Sequence, residues 1–417
     1  MWRDAIEGWL AGNSALRRYG PWVALVVAAA AYFRRFAKDP VGMVVYPQAG
    51  DCVLQSAPLG ECSKMFSYPP SFAFLMAPFA AMPMGLRVAI WYAISVAATV
   101  GCYMISEKLV FRLLPGRWSE IELAVLRTVT VILSIKFVLA VFEYQAYDTL
   151  AYFLLLAGLW AAVSNRAVFG GLILGFVTAI KATPLVFLPY LVVKRRFVAV
   201  AVFTIALIVF SYAPDIYSAL KGMQPHYLKI WLGQIAAPAL SGKADVGTMF
   251  WDAWMGVNLL NQSMRGMVAR LVVGTSYAMY GETIYHVASV VLIAIVGLLL
   301  LRSSRRERFP AVDASILVIS MLMLSPMTSR YHYILFILPY MTIAGIAMRD
   351  RFLRAPAIVT LLVSFVLGTA TSNDIAGHFL TEWSYAHNFL PLSALALLPF
   401  LGFVILRKDE PQSTVSI

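Results

Sequence analysis

Charge is scarce in this chain. Of its 417 residues only 13% are Asp, Glu, Lys or Arg, about half the share of a soluble domain. Apolar residues make up 61%, which excludes an ordinary soluble globule. Cysteine is scarce too, at three residues, so the chain is neither a disulfide-stapled mini-domain nor a thiolate metal centre. His-Glu-x-x-His, paired Cys-x-x-Cys and Asp-x-Asp runs are missing, and with them the usual sequence grounds for a metal. There is no Walker A run, so the sequence gives no grounds for cytosolic nucleotide hydrolysis. Internal repeats and low-complexity tracts are also missing, as is a soluble nucleotide-binding domain.

What is present is a series of apolar runs, near 20–36, 86–110, 121–142, 147–163, 168–182, 184–194, 197–213, 283–301, 312–325, 331–348, 356–371 and 389–406. Most are long enough to cross a bilayer core of about 30 Å, and too long and uniformly apolar for barrel strands. The fold class is therefore all-α: a polytopic membrane protein of about twelve transmembrane helices. Residues 1–18, with Trp2, Ile6, Trp9 and Leu10 among charges, read as an interfacial helix and not as a cleavable leader. Residues 19–406 form the transmembrane domain, and 407–417 a polar cytoplasmic tail.

The formal charge of +12 is concentrated in short links, such as Lys194-Arg195-Arg196, Arg302 to Arg308, Arg349 to Arg354 and Arg407-Lys408. That is the positive-inside pattern, not a nucleic-acid-binding face. Segment 69–83 is too short to cross comfortably and holds four prolines. If it re-enters, all the basic links fall inside. If it crosses, and 168–194 is one long helix, the links Lys108 to Arg117 and Ser164-Asn165-Arg166 fall outside. Both schemes place the loops 37–70 and 214–281 outside, where short interfacial helices are expected because Trp and Tyr favour that zone.

The candidates for chemistry lie at the outer ends of these runs. Asp39 follows the first run directly and is either a base at the membrane face or a helix-flanking charge. Asp51 is the alternative base, beside Cys52. Cys52 and Cys62 share the first loop, and a disulfide between them is expected if it faces an oxidising compartment. Lys136 lies inside an apolar run, where a charge is expensive and marks function by default. It either meets a phosphate or pairs with Glu143, seven residues on. Lys181 precedes Pro184, which breaks its helix. There it either binds an anion or satisfies freed carbonyls. Glu143, Gln145 and Asp148 form a polar link that reads as a solvated turn or as sugar-binding groups. Arg270 closes an amphipathic stretch that begins at Asn258 and holds Asn261, Gln262 and Arg265, as a snorkelling charge or a phosphate fork. Arg330 and His332 stand at another outer helix start.

In order along the chain, an Asp after the first span, Val45-Tyr46, Phe66-Ser67-Tyr68-Pro69-Pro70, Glu143-Tyr144-Gln145, Lys181-Ala182-Thr183-Pro184, Asn261-Gln262-Ser263 with Arg270, and Ser325-Pro326 with His332 resemble glycosyltransferase family 87, in the GT-C superfamily. The resemblance implies a GT-C-like membrane fold and inverting transfer of a hexose, with mannose foremost, from a polyprenyl-phosphate donor to an envelope lipid or glycan. It implies a bacterial inner-membrane enzyme with its site facing the periplasm, embedded in membrane lipids, with no nucleic acid partner. It also implies no cofactor and no obligatory metal. The first-loop Asp would be the base. Lys136, Lys181, Arg270, Arg330 and His332 would hold the phosphate. Tyr46, Tyr68, Glu143, Gln145, Asp148, Asn261 and Gln262 would contact sugar or acceptor. One departure matters: the family's Asp spacing before Val-Tyr falls on Gly42, and Asp39 lies three residues earlier. The competing reading is a transporter or flippase of a lipid-linked glycan, for which an internal repeat would be the sign.

Overall fold

The computed structural model describes residues 14–241, 256–304 and 309–407; residues 1–13, and with them most of the expected N-terminal interfacial helix, lie outside these, as do Trp251, Trp254 and the tail from 408. Among the described residues there are helices and no strands. Leaving aside helical turns of a few residues, in chain order they are α1 (Ser14–Lys38), α2 (Val41–Leu54), α3 (Pro70–Ala80), α4 (Met84–Leu113), α5 (Glu120–Glu143) and α6 (Asp148–Val163). Then come α7 (Ala167–Ile180), α8 (Phe187–Val193), α9 (Phe197–Ala219), α10 (Met264–Val272) and α11 (Gly281–Ser303). The last are α12 (Pro310–Leu324), α13 (Ile337–Arg349), α14 (Arg354–Gly368), α15 (Asn373–Ala386), α16 (Phe389–Leu395) and α17 (Leu397–Leu406).

Six helical stretches are long and apolar enough to cross a membrane, and α14 with α15 makes a seventh if that pair, bent by 75°, is one span. Five further apolar helices are only 10–17 residues long. The chain is thus a polytopic helical membrane protein.

Local signals set the helix ends. Ser119 and Glu122 form a capping box that starts α5. Proline opens α3 and α12, where its missing N–H costs nothing. Gly171 and Gly175 let α7 lie directly on α9, since a Cβ at either would strike α9 backbone. Close backbone approach of this kind is how helices associate where lipid removes the hydrophobic drive. Arg127 of α5 and Glu107 of α4, both largely buried, make a two-pronged pair at 2.7 and 2.8 Å, so neither charge meets apolar surroundings alone.

Contacts between links sort the bundle into two ends. At one end Arg112 donates to the Val163 carbonyl, Arg196 to Asn165 and Arg349 to the Arg117 carbonyl and Glu122. Lys194 pairs with Asp313 at 2.8 Å and Arg407 with Asp350 at 2.7 Å. The basic links therefore share one end. At the other end Ser56 meets Ser218, Trp231 donates to the Ser67 carbonyl and Asn261 to that of Pro326.

Segment 69–83 stays at this second end. Phe72 stacks on Tyr147 at 4.0 Å, and α4 returns past the same link, where the Trp91 indole donates to the Gln145 carbonyl. Helices α2 and α3 run side by side in the same direction, Tyr46 against Phe72 and Gly50 against Ala77. Cys52 and Cys62 are joined by a disulfide that closes the turn between them. A loop this short gains about 2–3 kcal/mol from such a link. Replacing both cysteines by serine should lower the melting temperature by several degrees without abolishing folding, because α2 is also packed on α3. Thermal unfolding in detergent, with and without reductant, checks it.

Candidate active site

The six residues 143–148, from the last residue of α5 to the first of α6, organise the second end. Helix α5 stops at Glu143, and Gln145 takes φ +46°, the left-handed conformation common where helices end. The Trp91 bond to its carbonyl fixes that turn, and Asp148 starts α6 at once. The polar side chains of this link then point to two different parts of the bundle.

Toward α1 and α2, the Gln145 amide makes three bonds. Its Nε2 donates to the carbonyls of Phe36 at 2.9 Å and Asp39 at 3.0 Å, and its Oε1 accepts from the Gly42 N–H at 2.9 Å. Asp39 lies between those anchor points, and it is exposed. Gly42, where the expected family spacing would put the acid, is buried against this amide; a Cβ there would sit 3.0 Å from the Gln145 Cβ. An Asp at 42 has no room, whereas Asp39 at the corner does. Asp51 lies in the last turn of α2, and its carboxylate accepts from Gln55 at 2.7 Å.

Toward the later helices, Asp148 is 2% exposed and pairs with Lys181 at 2.8 Å. His332 Nε2 lies 3.7 Å from the same carboxylate oxygen, while Asp148 Oδ2 is buried without a partner among the described residues. The Ser329 N–H donates to His332 Nδ1 at 2.9 Å, which leaves the ring proton on Nε2, facing Asp148. Lys181 stands where α7 ends in extended backbone, and its ammonium lies 4.8 Å over the Tyr147 ring. A lysine ammonium and a neutral imidazole N–H from separate helix breaks thus converge on one buried carboxylate. Glu143 bridges Arg35 and Arg330, each at 3.0 Å, and Arg330 also donates to the Tyr144 hydroxyl at 2.6 Å.

Between the two halves lies an aromatic wall. Tyr46 packs against Tyr68, Phe72, Trp91 and Tyr147. Burial pushes the Tyr46 and Tyr68 phenols well above their ordinary range, so both stay neutral hydroxyls able to donate. Tyr331 stacks on His332 at 4.5 Å. Tyr147, Tyr331 and Arg35 were not singled out from the sequence. Tyr331 and Tyr147 stood inside stretches already marked, and Arg35 immediately before Asp39's link, so nearness to those motifs was the available signal.

Other expected site residues go elsewhere. Lys136, 9% exposed, donates to the Gly368 carbonyl at 2.6 Å and the Thr371 hydroxyl at 3.2 Å. It caps the break between α14 and α15 and does not pair with Glu143. Arg270 donates to the carbonyls of Gly256, Asn258 and Asn261 and to the Asn388 side chain, and burial pulls its guanidinium down to about 10, still charged at neutral pH. Asn261 is fully buried and ties Ser263 to Pro326. Gln262 donates to the carbonyls of Leu259 and Tyr385. These three hold the 256–264 loop to its neighbours.

The family model described as glycosyltransferase family 87 matches residues 66–326, well over half of the chain. That range holds the 143–148 link and Lys181, while Asp39, Arg330 and His332 lie outside it. The chain is also similar to the polyprenol-phosphate-mannose-dependent alpha-(1-2)-phosphatidylinositol pentamannoside mannosyltransferase of Mycobacterium tuberculosis (strain CDC 1551 / Oshkosh), with 27% identity over 270 residues. The match covers 64% of this chain and 56% of that relative's length. No solved structure matches the chain. With the family match covering well over half of the chain, from α3 to α12 and including the 143–148 link, this chain belongs to glycosyltransferase family 87.

Proposed function

We propose that the chain transfers a mannosyl residue from a polyprenyl-phosphate-linked donor to a hydroxyl of an envelope lipid or glycan, with inversion at the anomeric carbon. Asp39 takes the proton of the attacking hydroxyl as the new glycosidic bond forms. The bond from the anomeric carbon to the phosphate oxygen breaks on the opposite side. Polyprenyl phosphate departs with the electron pair, its charge met by Lys181, Arg330 and the His332 N–H. Hydrogen bonds between charged groups are the strong ones, so these donors favour the charge that develops on the leaving group. Tyr46 and Tyr68 offer hydroxyls and ring faces to the sugar.

The observation that carries this reading is the 143–148 link. One turn of chain holds the corner bearing Asp39 through Gln145, and the cation cluster through Asp148 and Glu143. Base and leaving-group donors must be set against each other within an ångström or so for in-line displacement, and a shared short link does that. The orientation follows from charge: the basic links share the other end of the bundle, and the positive-inside rule turns that end to the cytoplasm. The site then faces the periplasm. Twelve crossings would need α1, α14 and four of the shorter apolar helices to cross along with the six stretches that are long and apolar enough by themselves.

The test is transfer itself. Purified protein is given a panel of radiolabelled polyprenyl-phospho-sugars with a membrane extract, and the labelled product is identified. Product from the mannosyl donor, with inverted linkage, is expected. Transmembrane movement of labelled lipid without a new glycosidic bond would replace this reading with that of a flippase.

A further inference from the structure

We propose that Gln145 is the positioning residue of the Asp39 carboxylate, and that it makes no contact with sugar or acceptor. The proposal rests on Asp39 acting as the base.

The need for such a residue begins with the backbone. A helix end leaves carbonyls without intrahelical partners, and a helix start leaves N–H groups. Between α1 and α2 only Asp39 and Pro40 intervene, Pro40 has no N–H, and no side chain caps the start of α2. The Val41 N–H closes on the Asp39 carbonyl and the Val44 N–H on that of Pro40, but the Phe36 carbonyl faces proline four residues on and the Gly42 N–H has no local acceptor among the described residues. Gln145 supplies both kinds of partner from more than a hundred positions away. Its nitrogen donates to Phe36 in the last turn of α1 and to Asp39, and its oxygen accepts from Gly42 in the first turn of α2. One amide is the shared cap of two helices, and the residue between them is Asp39.

The assignment of the amide is unambiguous. Two carbonyls face one of its ends and an N–H faces the other, so a flipped amide would break all three bonds. Every hydrogen-bonding atom of the side chain is used, and the residue is 1% exposed. Both N–H groups are taken and the residue presents almost no surface to a substrate. The contact is also tight, since a Cβ on Gly42 would approach the Gln145 Cβ to 3.0 Å and its carbonyl oxygen to 3.2 Å. The Gln145 backbone is in turn pinned at φ +46° by Trp91. The same link carries Asp148 three residues on, so moving Gln145 moves the base relative to the cations.

Three variants test this: Gln145→Met, which keeps the size and removes all three bonds; Gln145→Glu, which keeps an acceptor for Gly42 and loses the donors; and Gly42→Ala, which presses on the contact from the other side. Each is assayed for kcat, for donor and acceptor KM, and for melting temperature. We expect kcat to fall about 10–100-fold in Gln145→Met and Gln145→Glu, and by a smaller factor in Gly42→Ala, with both KM values within about twofold, as for loss of a well-oriented catalytic group. A kcat within twofold of the parent in either folded Gln145 variant overturns the proposal. So does a rise in a KM that matches or exceeds the fall in kcat, which would mean direct contact with a substrate. If Gln145→Met does not fold, Gln145→Glu and Gly42→Ala decide. Asp39→Asn in the same assay separates the two claims: full transfer by that variant sinks the base assignment, whereas its inactivity beside an unchanged kcat in the Gln145 variants sinks only the positioning role.

Discussion

Asp39→Asn should insert, fold and bind donor as the parent does, and transfer sugar about a thousandfold more slowly. General-base catalysis is worth roughly 10²–10⁴ in rate, and asparagine keeps the shape of the side chain while losing the basic oxygen. The structure gives reasons to expect little structural damage. Asp39 is exposed, and the corner is held through its carbonyl, which asparagine retains. The comparison is Asp51→Asn. Asp51 sits in the last turn of α2 with its carboxylate on Gln55, so this change should cost only a surface hydrogen bond and leave transfer within about twofold. Single-turnover transfer rates and donor binding on both variants decide the matter. Full rate in Asp39→Asn together with loss in Asp51→Asn would move the base to the other end of α2.

The departure in spacing also becomes physical here. Sequence spacing put the family's acid at Gly42, but that position is occupied by the approach of Gln145. An acid can stand at the α1–α2 corner or Gln145 can reach Gly42, and this chain does both by placing the acid three residues earlier.

Much of the bundle was legible in the sequence because lipid imposes a simple rule on it. Apolar runs of the right length mark the helices, and basic links gather at one end, as Lys194 with Asp313 and Arg349 with Glu122 do. The link 143–148 was marked as well, since polar groups between two apolar runs stand out. The division of labour inside it was not legible. Gln145 reads as a sugar ligand in sequence, and its real partners at 36, 39 and 42 are set by how α1 meets α5. Arg270 has the same history. Its fork suits phosphate; Nη1 goes to loop carbonyls and Nε to Asn388, which a linear reading cannot know are near, while Nη2 is buried with no partner among the described residues. Lys136 stood out correctly as an expensive charge, and what it meets is the carbonyl left open where α14 breaks. Composition reveals that a buried polar group must have a partner; only the packing says which.

Lys181→Met should damage the protein in two ways that a second substitution separates. Asp148 is 2% exposed and 2.8 Å from Lys181. Taking away the ammonium leaves a buried carboxylate with His332, at 3.7 Å, and its own backbone N–H to answer it. Breaking one side of a buried pair costs about 3–5 kcal/mol, so the single variant should melt at a clearly lower temperature and give no useful transfer rate. Lys181→Met with Asp148→Asn removes both charges together. Neutral groups of similar size often replace a buried pair at little cost, so most of the lost stability should return. Activity should not. Each charged hydrogen bond to the donor phosphate is worth about 1.5–3 kcal/mol, so the stable double variant should still show donor affinity reduced about 10–100-fold, with acceptor affinity close to the parent's. Melting temperatures and equilibrium binding of a polyprenyl phosphate measure the two effects independently. If the double variant recovers donor binding along with stability, Lys181 is a counter-ion for Asp148 and nothing more, and the leaving phosphate must be met by Arg330 and His332 without it.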